Sequence, residues 1–90
     1  MSLEKNLELA KLFDLYGALL SENQFDIYKD YLDNDLTLTE VAENRGITRQ
    51  AVKDVVSKVE QKLLEFESKL GFSKKVDELQ KEIRSLKKED

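Results

Sequence analysis

Apolar residues in the first part of the chain recur at three- and four-residue steps: Leu9, Leu12, Phe13, Tyr16, Leu19 and Leu20. That spacing puts them on one face of a helix and predicts helix one over about 3–19. Gly17 falls inside it, at a cost of about 1 kcal/mol relative to Ala, and would admit a close neighbour. Ser21-Glu22-Asn23-Gln24 has the form of a capping box. Phe25, Tyr28, Tyr31 and Leu32 then give helix two its apolar face. Asp33-Asn34-Asp35 ends it, with Asn34 suited to a left-handed position. Thr37-Leu38-Thr39-Glu40 is a second capping box, opening a short helix three with Val41 and Ala42 inward. Gly46 breaks that helix, and Thr48 is placed to cap helix four, about 49–70. Val52, Val56, Val59, Leu63, Phe66 and Leu70 alternate in steps of four and three along it, a seven-residue repeat. Gly71 interrupts the register. Ser73 is the candidate cap of helix five, roughly 74–88, whose seam is Val76, Leu79, Ile83 and Leu86.

The pattern is therefore all-α, with five helices. Residues 1–70 form a globule, and 71–90 form a C-terminal helical extension that packs back or pairs with a second chain. A seam left bare would expose a sizeable apolar strip.

Within the globule, residues 37–57 read as a helix-turn-helix unit with a long second helix. Ala42 is small where the two helices cross. Gly46 supplies the positive φ that the tight turn needs. Ile47 is expected to plug the corner, Thr48 to cap, and Val52 and Val55 to bury the inner face against Val41 and Ala42. The outer face then carries Arg49, Gln50 and Lys53 in its first turn and a half, with Ser57 one turn further. In the usual docking of such units these residues meet base edges in the major groove. Arg bonds guanine bidentately, Gln bonds adenine, and Lys reaches guanine or phosphate. Arg45, Thr48 and Ser57 are placed for the nucleic-acid backbone. A helix-turn-helix can also be a plain packing module or a protein-docking surface.

Charge supports this reading only after it is divided along the chain. The 90 residues carry a net charge of −4. Residues 1–44 hold three basic against ten acidic residues, a net −7, and residues 45–62 hold five basic against two acidic, a net +3. The remainder is balanced. Only the helix-turn-helix segment offers phosphates an attractive surface. The chain has no Cys and no His, which removes thiolate nucleophiles, the usual triads and imidazole metal sites. Asp26 and Asp30 share a helix face, but no glycine loop is there to wrap a cation. The expectation is a protein that is not an enzyme, with no metal and no cofactor. No apolar run approaches the ~20 residues of a membrane span, and Met1 to Lys11 has no apolar signal core, so a cytoplasmic location without a membrane partner is expected.

Leu36-Thr37-Leu38-Thr39-Glu40-Val41-Ala42 followed by Gly46-Ile47-Thr48-Arg49-Gln50-Ala51-Val52 resembles region four of bacterial housekeeping-type sigma factors, which reads promoter DNA. A closer resemblance spans nearly the whole chain. Met1-Ser2-Leu3-Glu4-Lys5, Leu12-Phe13-Asp14-Leu15-Tyr16, Leu19-Leu20-Ser21, Ile47-Thr48-Arg49-Gln50-Ala51-Val52-Lys53-Asp54 and Leu64-Glu65-Phe66-Glu67-Ser68-Lys69-Leu70 are similar to the YlxM-like family of small bacterial helix-turn-helix proteins. Lys53 departs from the aromatic residue usual there and adds a charge. The resemblance implies a DNA-binding regulator. Because the family's genes typically lie beside those of the signal recognition particle, it also implies an accessory role in that pathway. The partners expected are nucleic acid (duplex DNA first, RNA as the alternative), components of the particle, and a second copy of the chain through helices four and five. The competing reading is an adaptor that docks a basic component of the particle on the acidic front.

Overall fold

Both capping boxes form as the sequence requires. In the computed structural model, which describes residues 3–88, the Ser21 hydroxyl accepts from the Gln24 amide while the Gln24 side chain accepts from the Ser21 amide. Thr37 and Glu40 reciprocate in the same way. The elements are α1 (Leu3–Tyr16), a 3-10 turn (Gly17–Leu19), α2 (Glu22–Leu32), α3 (Leu38–Arg45), α4 (Arg49–Leu70) and α5 (Phe72–Lys88). The described residues are all-helical. Residues 1–2 and 89–90, at the ends of the two expected parts, lie outside them.

Three local expectations change. The first helix ends at Tyr16 rather than near 19, because the chain tightens into the 3-10 turn. Leu20 is thereby carried into the core, and Leu19 turns out to solvent. After α2 the left-handed residue is Asp35, φ 54, not Asn34, whose amide instead donates to Asp30 Oδ1 at 3.2 Å. On α2 itself the buried pair is Ile27 and Tyr28, with Phe25, Tyr31 and Leu32 only partly covered.

α4 is the element against which α1, α2 and α3 all pack. Its buried stripe is Val52, Val56, Val59 and Leu63, closed by Leu12, Phe13, Tyr16, Tyr28 and Val41. Phe66 is partly covered and Leu70 is exposed, so the seven-residue repeat outruns the core by one turn. Gly17 is required by close approach. A Cβ there would sit 3.0 and 3.3 Å from the Phe25 ring, which lies tilted against Phe13 with ring centres 5.0 Å apart. Gly17→Val should therefore destabilise the fold by about 1–3 kcal/mol through overpacking, read as a lower urea midpoint. Phe25→Leu in the same chain should return part of the loss. An unchanged midpoint in the single variant would show that the ring moves aside freely.

The α4–α5 joint is built on a side chain that the sequence pattern does not single out. Gly71 takes φ +66, and the Glu67 carboxylate caps the new helix, accepting from the amides of Ser73 at 2.9 Å and Lys74 at 3.2 Å. Glu67 thus takes the capping role expected of Ser73, and α5 begins at Phe72. Tyr16 ties the joint to α1: its hydroxyl donates to Glu67 at 2.6 Å and accepts from the Phe72 amide at 3.1 Å. Lys11 pairs with Asp77 a little further along. Burial works to raise the Glu67 pKa, but the bonds from Tyr16 and the two amides outweigh it and hold the carboxyl below its ordinary value. A depressed carboxylate stabilises above its unfolded pKa, and that stabilisation is lost as pH falls through the folded value. The joint should hold at neutral pH and loosen in acid. The Ser73 and Lys74 amide shifts, followed by NMR, should titrate below the ordinary glutamate range and lose that step in Glu67→Gln. Titration at or above the ordinary value would contradict the assignment.

Candidate nucleic-acid interface

The turn between α3 and α4 follows from three adjacent residues. Gly46 caps α3 at φ 67, ψ 33, a conformation that costs glycine no steric penalty. The amides of Gly46 and Ile47 return to the end of α3, the latter to the Ala42 carbonyl at 3.1 Å. Thr48 is extended, and its hydroxyl accepts from the Ala51 amide at 3.0 Å. Val41, Ala42 and Val52 are buried where α3 and α4 meet. Val55 is only partly covered, because the inner stripe passes through Val56 and Val59 instead. Ile47 does not plug the corner: it is 39% exposed at the rim of the turn.

Arg49, Gln50, Lys53 and Ser57 are all exposed along α4; Gln50 and Ser57 lie opposite its buried stripe, Lys53 about a quarter-turn from it, and Arg49 beside it in the first turn. Among the described residues neither Arg49 nor Lys53 forms a salt bridge. The N-terminal end of α4, where the partial positive charge of a helix resides, lies beside them. Gln50 is less available, because its amide nitrogen donates to Asp54 Oδ1 at 2.9 Å. Arg45 is exposed yet engaged: Nε and Nη2 donate to Asp30 Oδ2 at 3.1 and 2.7 Å, and Nη2 also reaches the Asp26 carbonyl at 3.4 Å. The structure thus places Arg45 as a clamp between α2 and α3. Sequence reasoning missed both acidic partners. Gln50 and Asp54, four apart on one helix, carried a readable signal, whereas Asp30 and Arg45 are brought together only by the tertiary fold.

Among the described residues no three potential metal-binding side chains converge, and no helix is long and apolar enough to cross a membrane.

Two helices joined by a left-handed glycine and a capping threonine, with a buried inner stripe and a polar outer face, define a helix-turn-helix protein. The sequence profile described as "Putative helix-turn-helix protein, YlxM / p13 like" matches residues 3–90. The chain belongs to this family, UPF0122. A UPF0122 protein of Fusobacterium nucleatum is 36% identical over 89 residues, covering 99% of this chain and 86% of the relative. One from Clostridium perfringens is 40% identical over 75 residues, covering 83% and 67%. A third, from Caldanaerobacter subterraneus, is 41% identical over 81 residues, covering 90% and 69%. No solved structure matches the chain.

Proposed function

We propose that the protein is a nucleic-acid-binding regulator that lays the first turns of α4 in the major groove of duplex DNA. Arg49, Gln50 and Lys53 face base edges, and Thr48 and Ser57 face the phosphates. The observation that carries this reading is the exposed start of α4, where two cations without salt bridges among the described residues stand in the first turn and a half of a 22-residue helix. Arg45 contributes to phosphate binding only by giving up Asp30. Gln50 must release Asp54 to reach a base, and the contact forms where adenine offers it a bidentate partner. Following the family resemblance, the regulated process is the signal recognition particle pathway.

The competing adaptor reading draws on exposed Glu22, Asp33, Asp35, Glu40 and Glu43. Asp30 does not belong to that surface, since its carboxylate already holds Arg45 and Asn34. A clean charge reversal therefore uses Asp26→Lys with Asp33→Lys and leaves Asp30 in place.

The test is a titration of the chain against duplex DNA, the particle's RNA and the particle's protein subunit, repeated over a range of salt. Duplex binding should weaken with salt at a slope corresponding to about three to five phosphate contacts per chain. A slope implying about ten such contacts would contradict so small a basic surface. Binding to the RNA alone would replace DNA as the target. Binding to the protein subunit alone, abolished by the Asp26, Asp33 reversal, would establish the adaptor.

A further inference from the structure

α5 leaves the globule with a bare apolar seam. Leu79 is 46%, Ile83 51% and Leu86 68% exposed, and Phe72 at its base is also exposed. The face that α5 turns toward the globule is a different one. Ser73 is buried there, and Asp77 meets Lys11 of α1. At 3.6 residues per turn, the centre of the seam lies about a third of a turn around the helix from that face. Docking on α1 therefore leaves Val76 partly covered and Leu79, Ile83 and Leu86 exposed.

We infer that the seam pairs with the α5 seam of a second copy of this chain, as a short parallel two-stranded coiled coil. Two features of the residues choose this occupant. Val76, Leu79, Ile83 and Leu86 fall at steps of three, four and three, which places β-branched residues at the a positions and leucines at the d positions. That assignment favours two parallel strands. The flanks agree. In this register Glu82 is a g position and Lys87 the following e position, so in a parallel pair each Glu82 faces the other copy's Lys87 twice over. Lys75 and Gln80, the preceding g and e, oppose no like charge. An antiparallel pair that aligned all four seam residues would instead bring the two Glu82 carboxylates together near the axis. A two-fold pair of this kind presents two α4 helices to one duplex, as helix-turn-helix dimers do on paired half-sites. Only that last consequence rests on the function proposed above. Pairing is measured without nucleic acid, so either can fail while the other stands.

The experiment is sedimentation equilibrium of the full chain from low to high micromolar concentration. Wild type should pass from monomer to dimer with rising concentration, because a helix of 17 residues gives only about two heptads of contact. Leu79→Glu with Ile83→Glu should remain monomeric with its helix content retained. Should that variant unravel α5, the charge swap still decides. Glu82→Lys alone and Lys87→Glu alone should each weaken pairing about tenfold, and an equimolar mixture of the two should pair at least as well as wild type. A wild type that stays monomeric throughout overturns the inference. So does a mixture that pairs no better than either variant alone, since in the parallel arrangement the mixed pair has opposite charges at both positions flanking the seam.

Discussion

Arg49→Ala combined with Lys53→Ala should lower affinity for duplex DNA on the order of a hundredfold while leaving the fold intact. A bidentate arginine–guanine contact discriminates by about 1–3 kcal/mol, and each lost phosphate contact also lowers the salt slope by about one. The stability effect should be within about 0.5 kcal/mol, because both side chains are exposed and make no salt bridge among the described residues. The two single variants should differ in kind. Arg49→Ala should flatten preference among sequences, and Lys53→Ala should weaken all duplexes alike with a shallower salt slope. Arg45→Ala is the informative contrast. It removes the α2–α3 clamp on Asp30, so its effect should appear in the unfolding midpoint more than in binding. Affinity for duplex DNA that survives the double change within threefold, roughly 0.6 kcal/mol, would move the interface off α4.

Tyr28→Ala should come close to unfolding the chain. The Tyr28 ring is fully buried, stands edge-on to Phe13 at 5.2 Å and lies beside Tyr31 at 6.2 Å. Removing a buried aromatic ring typically costs about 3–5 kcal/mol, against a total stability of about 5–15 kcal/mol for small proteins. Tyr28→Phe separates ring from hydroxyl. The phenol donates to Glu60 at 3.1 Å, and since Glu60 is only half-buried it can take water instead. That variant should lose only about 1 kcal/mol. Burial first, then the neighbouring Glu60 charge, raises the Tyr28 pKa, so its hydroxyl stays a donor across the physiological range. Urea unfolding of the pair measures both values. Equal losses in the two variants would make the hydroxyl, not the ring, the source of stability.

Boundaries written in short-range chemistry are legible from the order of residues alone. Ser21 with Gln24, Thr37 with Glu40, and Gly46, Thr48 and Gly71 each act within a few residues of themselves, so reading along the chain suffices. The buried stripe of α4 is legible for the same reason, because helical periodicity is local. What stays hidden depends on which residues meet across the fold. Arg45 reads as a free cation until α2 brings Asp30 beside it. Glu67 reads as one more solvent-facing acid until the bend at Gly71 turns the α5 amides onto it. Gly17 reads as a weak point until Phe25 occupies the space that a side chain would take. Leu19 and Leu20 are indistinguishable by spacing, and the 3-10 turn decides between them.

A single helix against which three others lean also shapes how the molecule comes apart. No grouping of α1, α2 and α3 that omits α4 retains a closed apolar interior, since Val52, Val56, Val59 and Leu63 supply one side of it. Partial unfolding that spares the rest is therefore confined to the ends of the chain. Backbone amides in the middle of α4 should exchange with deuterium only through global opening, and those near the tip of α5 through local fraying. The surface that carries Arg49 and Lys53 thus belongs to the last element to open, and its shape persists for as long as the protein is folded at all.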